Sequence, residues 1–226
     1  MKNVVAFALF FLAISILGCQ DAKDESSSAL TDLSSFKKIG HEIPYETGMR
    51  WIETYNKQNN IQGRSILFPY SVSESALAES LGSVDELVGV VFHHATDNSG
   101  VHHFIIIPIE ESLTVWSEAP ADRVLLDANT GEVISTSTAQ QWTGNYKTQH
   151  PNDIWFHFFG NNIFDEILDL SGFDTLNIIP ALSDLDLSPQ LLLILTNDGL
   201  LFNGRTKGDK PPVYDASSPC PPCPVN

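Results

Sequence analysis

Apolar and polar positions follow first a helical period and then a strand period, and this order occurs twice in the chain. In the first half, residues 46–57 place apolar side chains at helical spacing, with Pro44 before them as a typical helix start. Ser71 and Glu74 form a capping-box pattern, which predicts a second helix that ends at Gly82. The first half therefore opens with two predicted helices.

Runs rich in β-branched residues follow these helices. Residues 87–94 and 101–109 flank a Thr-Asp-Asn-Ser-Gly segment, which is typical of a β-hairpin turn. A third strand is predicted at 113–116, and a further hairpin at 124–126 and 132–136. An antiparallel meander is therefore expected after the two helices.

The second half has the same order of elements. A helix is predicted at 138–148, although Gly144 weakens it by about 1 kcal/mol relative to alanine. Asn161 or Asn162 is expected to cap a second helix, which ends near Gly172. Strands are then predicted at 175–179, 190–196 and 200–202.

Aromatic and leucine markers relate the two halves. Each marker of the first half recurs 91 residues later: Trp51, Tyr55, Phe68 and Leu77 correspond to Trp142, Tyr146, Phe159 and Leu168. We interpret this as an internal duplication. The predicted fold is α+β, with two tandem helix-helix-antiparallel-meander repeats, at 41–136 and 137–216, packed into one body.

The paired Trp and Tyr of each first helix have two interpretations. They could form an aromatic platform for a sugar or a peptide, or they could dock the helix on a sheet. Residues four positions apart lie on one helical face, and aromatic side chains bury the largest areas. The spacing therefore favours a role in the core.

Composition and charge narrow the function classes. The chain is 42% hydrophobic and 10% aromatic, which is typical of a globular protein. It carries 28 acidic and 12 basic residues, for a formal charge of −16. Because such a surface repels phosphate backbones, nucleic acid is not an expected partner.

The N-terminus has the layout of a signal peptide at residues 1–18, with Lys2 before an apolar run. The next four-residue pattern, Ile16-Leu17-Gly18-Cys19, resembles the bacterial lipobox. That resemblance implies that Cys19 is lipidated and that residues 19–40 form a flexible tether to the membrane. An ordinary secretory leader followed by an unmodified Cys19 is the alternative.

Four of the seven histidines lie at the ends of the first predicted hairpin, as His93-His94 and His102-His103. If the turn is a two-residue loop between Asp97 and Gly100, His94 lies directly opposite His103. Two imidazoles at that distance can bind one zinc or copper ion, with Asp97 or His41 as a further ligand. The alternative is a polar patch of partly buried histidines with no metal and no cofactor.

The tail at 217–226 contains Cys220 and Cys223 among prolines. With Cys19 lipidated, these two thiols are left to pair, and a protein beyond the cytoplasmic membrane sits where disulfides persist. The prolines prevent the helix that a thioredoxin-like active site needs. A structural disulfide is the favoured interpretation, while a free pair or a metal or redox role stays open.

The Trp142-x-x-x-Tyr146 helix, the Phe-Phe-Gly segment at 158–160 and the Cys-Pro-Pro-Cys tail together resemble a group of uncharacterised lipoproteins and secreted proteins of Bacteroidota. Members of that group pair a Trp/Tyr helix with a Phe-Phe-Gly turn and often end in a Pro-rich Cys motif. The chain departs from the group at 176–178, where an Arg-Tyr-type strand is commoner. The resemblance implies a fold and a location but no activity.

We therefore expect a lipid-anchored protein of the bacterial cell envelope, in the outer membrane. Neither a nucleophile with its base nor a phosphate-binding loop is recognisable, which favours a non-enzymatic binding or structural module over an enzyme. Its partners would be the membrane, through Cys19, and an unknown protein or small molecule. The alternative is a metal-binding protein or metal-dependent hydrolase that uses His93, His94, His102 and His103.

Overall fold

The computed structural model describes residues 33–61, 69–110, 123–204, 210–215 and 218–220. The helices are α1 (Leu33–Phe36), α2 (Tyr45–Gln58), α3 (Glu74–Leu81), α4 (Thr136–Gln149) and α5 (Asn161–Asp169). The strands are β1 (His41–Ile43), β2 (Tyr70–Ser73), β3 (Leu87–Thr96), β4 (His102–Glu110), β5 (Leu125–Asp127), β6 (Glu132–Ile134), β7 (Phe156–Gly160), β8 (Thr175–Leu182), β9 (Pro189–Asn197), β10 (Leu200–Leu201), β11 (Val213–Asp215) and β12 (Ser218–Cys220).

Several predictions fall outside these ranges. The signal peptide at 1–18, the lipidation site at Cys19, the marker Phe68, the strand at 113–116 and the residue Cys223 of the expected disulfide all lie outside the described residues. The last part of the predicted tether is described, and it carries α1, whose Phe36 is buried against the ring of Phe158.

The fold is mixed α+β with two antiparallel sheets, as expected for its class. Sheet A has the order β1-β11-β9-β8-β2, with β10 paired to β9, and sheet B has the order β12-β7-β3-β4-β5-β6. Each sheet combines strands from both halves of the chain. In particular, β2 of the first half pairs with β8, and β7 of the second half pairs with β3.

Three apolar clusters define the layers. The largest joins Phe92 and Ile106 of sheet B to Ile178 and Leu193 of sheet A, so the two sheets face each other across it. Leu77 of α3 is buried in the same cluster. Helix α4 covers the other face of sheet B and helix α2 the other face of sheet A, because each contributes to a separate cluster there. The layers therefore run helix, sheet, sheet, helix.

The first predicted helix of each half, α2 or α4, is confirmed, and so are the predicted hairpins. The predicted N-caps of the second helix of each half, α3 or α5, are wrong. The N-cap of α3 is Ser73, whose hydroxyl oxygen accepts from the Ala76 amide at 3.1 Å, while Ser71 lies within β2. Strand β2 continues directly into the helix, so the cap comes two residues later than the capping box suggested.

Strand β7 likewise continues directly into α5, and its last residue, Gly160, is the N-cap. Asn161 and Asn162, the predicted caps, lie inside the helix, and the Asn162 side-chain NH2 donates to the Gly40 carbonyl instead. A Cβ atom at Gly160 would overlap the backbone of residues 36–37. The close approach of the N-terminal segment therefore determines this cap.

The turn between β3 and β4 has three residues rather than the two predicted. The Asp97 amide donates to the Val101 carbonyl at 3.0 Å, and the Asp97 carboxylate accepts from the amides of Ser99 and Val101 at 2.8 Å each. Gly100 has φ +87°, the left-handed conformation that closes such a turn. The side chain of Asp97 thus stabilises a longer loop.

The longer loop shifts the pairing register by one residue. His94 lies opposite Phe104 and His103 lies opposite Ala95, so the predicted pairing of His94 with His103 is wrong. Opposite residues share a face of the sheet, and successive residues alternate. His94 and His102 therefore share one face of sheet B, and His93 and His103 share the other.

Candidate functional site

A pocket of about 730 Å³ lies between the two sheets, where β3 and β8 end and β4 and β9 begin. Its aromatic side chains are Tyr55, Tyr70, Phe104 and Tyr146, and its histidines are His94, His102 and His157. Its other lining residues are Asn152, Asp153, Ile154, Pro180, Ala181, Leu182, Pro189, Gln190 and Leu191. A volume of this size is typical of small-molecule sites.

Three of the lining side chains form a hydrogen-bonded relay. The Tyr70 hydroxyl lies 2.7 Å from Nδ1 of His102, and Nε2 of His102 lies 2.9 Å from Nδ1 of His94. The relay joins β2 to the hairpin, because Tyr70 is contributed by sheet A and both histidines by sheet B. It therefore couples the two sheets at the pocket wall.

Aromatic stacking orders the same wall. Tyr146 of α4 stacks on His94, with ring centroids 5.0 Å apart, and on His150, with centroids 4.5 Å apart. Tyr70 and Phe104 meet edge to face at 4.9 Å. These contacts fix ring orientations and leave little rotamer freedom for the relay.

The imidazoles of the pocket are uncharged at neutral pH. Burial lowers the pKa of His102 and the pKa of His157 to about 4 each. The pKa of His94 lies well below its usual value, because of burial first and of the neighbouring histidines second. Burial raises the pKa of Tyr70 and the pKa of Tyr146 to about 12 each. The wall is therefore polar and neutral.

A neutral relay has two possible polarities. Either the Tyr70 hydroxyl donates to Nδ1 of His102, whose Nε2–H donates to His94, or both bonds run in the opposite direction. The three groups hold three protons for two bonds. One N–H or O–H is therefore left to donate at one end of the relay, and lone pairs are left at the other end.

The opposite face of the hairpin holds a separate arrangement. Nδ1 of His103 donates to both carboxylate oxygens of the buried Asp127 at 3.0 Å, and Asp97 lies 3.7 Å from Nε2. The ring of Trp142 packs on His103, with centroids 4.5 Å apart. Nδ1 of His93 donates to the His94 carbonyl at 2.7 Å. These two histidines join strands and helix together and do not line the pocket.

The four hairpin histidines are thus divided between two faces. Within the described ranges, no group of three or more histidine, cysteine, aspartate or glutamate side chains has the geometry of a metal site. Nδ1 of His94 and Nε2 of His102 are already joined by a hydrogen bond. Binding of zinc or copper remains a prediction that this geometry does not test.

The aromatic pairs of the two first helices have divided roles. Trp51 donates from Nε1 to the Asp184 carboxylate at 2.8 Å, and Trp142 packs on His103, so both tryptophans hold their helices in place. Tyr55 and Tyr146 both line the pocket. The partly buried tryptophans therefore dock their helices as the core interpretation expects, and the tyrosines, of which Tyr146 is buried, line the candidate pocket.

Tyr70 and His157 are the site residues that the pattern did not reveal. His157 lies in β7 and is buried, and the ring centroids of His157 and His94 are 5.7 Å apart. His157 is the one polar residue of an apolar strand, whereas Tyr70 begins a short strand that also contains Ser71 and Ser73. Neither signal alone distinguishes a pocket from the surface. Both reach the site because β2 and β7 cross to the sheet of the other half.

None of the helices in the described ranges has the length and the apolar character that a membrane span requires. Comparisons of the chain with family models, with curated proteins and with solved structures give no match.

Proposed function

We propose that this protein is a non-enzymatic binding module of the bacterial cell envelope and that its ligand is a small molecule held in the pocket between the sheets. The observation that carries the proposal is the lining itself. The pocket combines aromatic and aliphatic side chains with a few neutral, convergent polar groups, which is the usual composition of a ligand site.

The proposal includes an internal duplication with exchanged strands. Helices α2 and α4 have 14 residues each, and their first residues lie 91 positions apart. Sheet B contains the order β7-β3-β4-β5, and sheet A contains the order β2-β8-β9-β11. If β2 and β7 are interchanged, these four strands of each sheet all come from one half and stand in the order in which they follow along the chain. These features support two homologous halves, each of which gives one strand to the sheet of the other.

The spacing between the halves changes after the first helix. The N-caps of α3 and α5, Ser73 and Gly160, lie 87 residues apart, so four extra residues precede β2 in the first half. The two leucine markers are accordingly not matched in environment, because Leu77 is fully buried whereas Leu168 is 41% exposed. Equivalent residues of the two proposed repeats are therefore 91 positions apart in the first helix and about 87 positions apart beyond it.

The envelope location rests on the sequence. The lipobox-like pattern at Cys19 supports anchoring to the membrane, with the outer membrane as the expected site, and the resemblance to the Bacteroidota group agrees with it. The expected Cys220–Cys223 disulfide would close the tail beside sheet B, since Cys220 pairs with Phe156 of β7. Replacement of Cys19 by serine tests the anchor, because it should release the protein from the membrane fraction.

A metal-binding protein or metal-dependent hydrolase is the second candidate. The observation that favours it is the grouping of three imidazoles in the pocket, where the ring centroid of His94 lies 5.1 Å from that of His102 and 5.7 Å from that of His157. A zinc or copper site here would use His157 in place of His93 and His103. Metal analysis of the purified protein separates the two candidates.

The binding function can be tested with a variant that fills the pocket. Pro189 is an exposed lining residue, so Pro189→Trp should abolish ligand-induced stabilisation in a thermal-shift screen of small molecules. Val133→Trp is the matched control, because Val133 is also exposed and lies outside the lining. Hits that stabilise both variants equally would contradict a ligand site in this pocket.

A further inference from the structure

The two walls of the pocket differ in chemistry although they come from matched positions. Phe92 of β3 and Ile178 of β8 occupy corresponding places in the two halves, and they pair with His157 and Tyr70 respectively. Five pairs of equivalent residues then line the pocket: Tyr55 with Tyr146, Tyr70 with His157, His94 with Pro180, His102 with Pro189, and Phe104 with Leu191.

Sheet B supplies the polar wall and sheet A the apolar wall. His94, His102 and His157 all belong to sheet B, whereas Pro180, Pro189 and Leu191 belong to sheet A. Sheet A adds two polar groups, and both have partners: the Tyr70 hydroxyl is bonded to His102, and the Gln190 side-chain amide donates to the Ser188 hydroxyl at 2.9 Å. A ligand between these walls therefore meets hydrogen-bonding groups on one side and hydrocarbon on the other.

The polar wall has hydrogen-bonding capacity that the described residues do not use. The relay leaves one proton at one end and lone pairs at the other. Nδ1 of the buried His157 also has no hydrogen-bond partner within the described residues, and because the atom is closed to solvent, a ligand reaches it only when the His157 ring turns toward the pocket. Buried polar groups without partners are costly, so a ligand that supplies the missing bonds gains affinity from them.

Charged ligands lack a counterpart in this pocket. No lysine or arginine occurs among the described lining residues, and the chain carries a formal charge of −16, which disfavours anions. The only carboxylate of the described lining is Asp153, which is exposed and accepts a hydrogen bond from His150 at 2.9 Å. A buried ion facing the histidine wall would lose its hydration without compensation.

We infer that the ligand is an uncharged, largely apolar alcohol or phenol, whose hydroxyl group bonds to the His94 and His157 wall and whose hydrocarbon body lies on Pro180, Pro189 and Leu191. A hydroxyl group donates one hydrogen bond and accepts others, so it completes the relay in either polarity. This inference rests on the proposed binding function, because it specifies the chemistry of the same pocket.

Four probes of one shape test the inference: 4-propylphenol, propylbenzene, 4-propylbenzoate and 4-propylbenzylammonium. Binding to the whole chain in phospholipid nanodiscs is measured by equilibrium dialysis at neutral pH, with protein-free nanodiscs as the blank. The phenol should bind about tenfold more tightly than propylbenzene, as one additional hydrogen bond would provide. Equal affinity of these two probes, or tighter binding of either ion, would overturn the inference.

Variants assign the effect to the two walls. His94→Phe and His157→Phe should lower the affinity for the phenol to that for propylbenzene and leave propylbenzene binding unchanged. His157→Phe removes a buried nitrogen without a partner, so it should fold even if His94→Phe does not. Pro189→Ser should weaken both probes equally. A phenol preference that survives both histidine variants would contradict the assignment.

Failure of the inference is distinguishable from failure of the proposed function. If an ionic probe binds most tightly and Pro189→Trp abolishes that binding, the pocket is a ligand site and the inferred chemistry is wrong. If all four probes bind no better than to the blank discs, and Pro189→Trp changes nothing, both the inference and the binding function are contradicted.

Discussion

His93 and His94 are adjacent in sequence but have different surroundings, because successive residues of a strand point to opposite faces. His94 lies in the pocket wall, stacked on Tyr146 and bonded to His102. His93 is buried on the other face, where burial lowers its pKa to about 4 despite its bond to the His94 carbonyl. The role of each histidine therefore depends on the pairing register.

Tyr70→Phe tests the hydrogen bond at the start of the relay. The substitution removes the hydroxyl that bonds to Nδ1 of the half-buried His102 and adds no volume. We expect the free energy of unfolding to fall by about 1–3 kcal/mol, because a polar nitrogen loses its partner in a mostly apolar setting. Urea denaturation at pH 7 measures the change.

Tyr55→Phe is the matched control, since Tyr55 also lines the pocket but its hydroxyl makes no hydrogen bond to a described residue. Its effect on the free energy of unfolding should stay within about 0.5 kcal/mol. If the two variants have equal stability, the Tyr70–His102 bond does not contribute to folding.

At the scale of elements, helices α2 and α4 could be predicted from spacing, because the Trp and Tyr of each helix are four residues apart and therefore on one face, and Pro44 also marks the start of α2. The turn between β3 and β4 could not, because its length depends on which amides the Asp97 carboxylate accepts from. A one-residue change in that loop moves every histidine of the hairpin to a different partner.

The pocket was also beyond prediction from local pattern. Tyr70 and His102 are 32 residues apart, and they meet only because β2 crosses to the sheet of the second half. The proposed duplication rests on a pattern of aromatic residues, and its offset of 91 does not indicate that β2 and β7 cross between the sheets. Pairing between distant strands is a tertiary property that apolar periodicity does not encode.

Two glycines test the packing of individual elements. Gly89 lies in β3, where a Cβ atom would overlap the Phe159 carbonyl oxygen and the Phe158 ring. Gly89→Ala should therefore destabilise the protein by about 3 kcal/mol.

Gly144 lies in α4, and no atom lies within 4 Å of the position that its Cβ would take. Gly144→Ala should therefore stabilise the protein by about 0.5–1 kcal/mol.

Thermal unfolding of the two alanine variants measures both effects. The same chemical change then gives opposite shifts in Tm, upward for Gly144→Ala and downward for Gly89→Ala. A downward shift for Gly144→Ala would mean that the exposed side of α4 is covered, and a neutral Gly89→Ala would mean that β3 and β7 are less closely packed than the structure indicates.

At the scale of the whole molecule, the crossing of β2 and β7 between the sheets makes the two halves of the chain interdependent. Without β7, one edge of β3 in the centre of sheet B would lose its hydrogen-bonding partner, and without β2, β8 would become the edge of sheet A. The pocket depends on the same crossing, since Tyr70 lies on β2 and His157 on β7. Folding and ligand binding are therefore expected to be lost together.

The buried histidines make the stability of the whole molecule sensitive to acid. In the folded state the pKa values of His93, His102 and His157 are about 4, against 6.5 for an unperturbed histidine. Between pH 6.5 and 4 the unfolded chain binds more protons at these positions than the folded protein. Their contribution to stability is therefore complete above pH 6.5 and is lost as the pH falls toward 4.

Asp215 acts in the opposite direction. Burial raises its pKa to about 6, from an ordinary value of 3.8, despite the opposing effect of His41. Its contribution to the stability of the folded state is present below pH 3.8 and is lost as the pH rises through 6. On acidification, this gain in stability offsets the loss from one of the three histidines. Acidification from pH 6.5 to 4 should still reduce the net stability.

Urea denaturation at pH 7, 6, 5 and 4.5 measures this loss. Each group that binds one more proton in the unfolded chain contributes a slope of about 1.4 kcal/mol per pH unit. His157→Phe should reduce the slope by one such group, because His157 is buried and uncharged in the folded protein. A stability that is constant over this range, or that rises on acidification, would show that these histidines are protonated in the folded state, and the neutral wall on which the binding proposal depends would be lost.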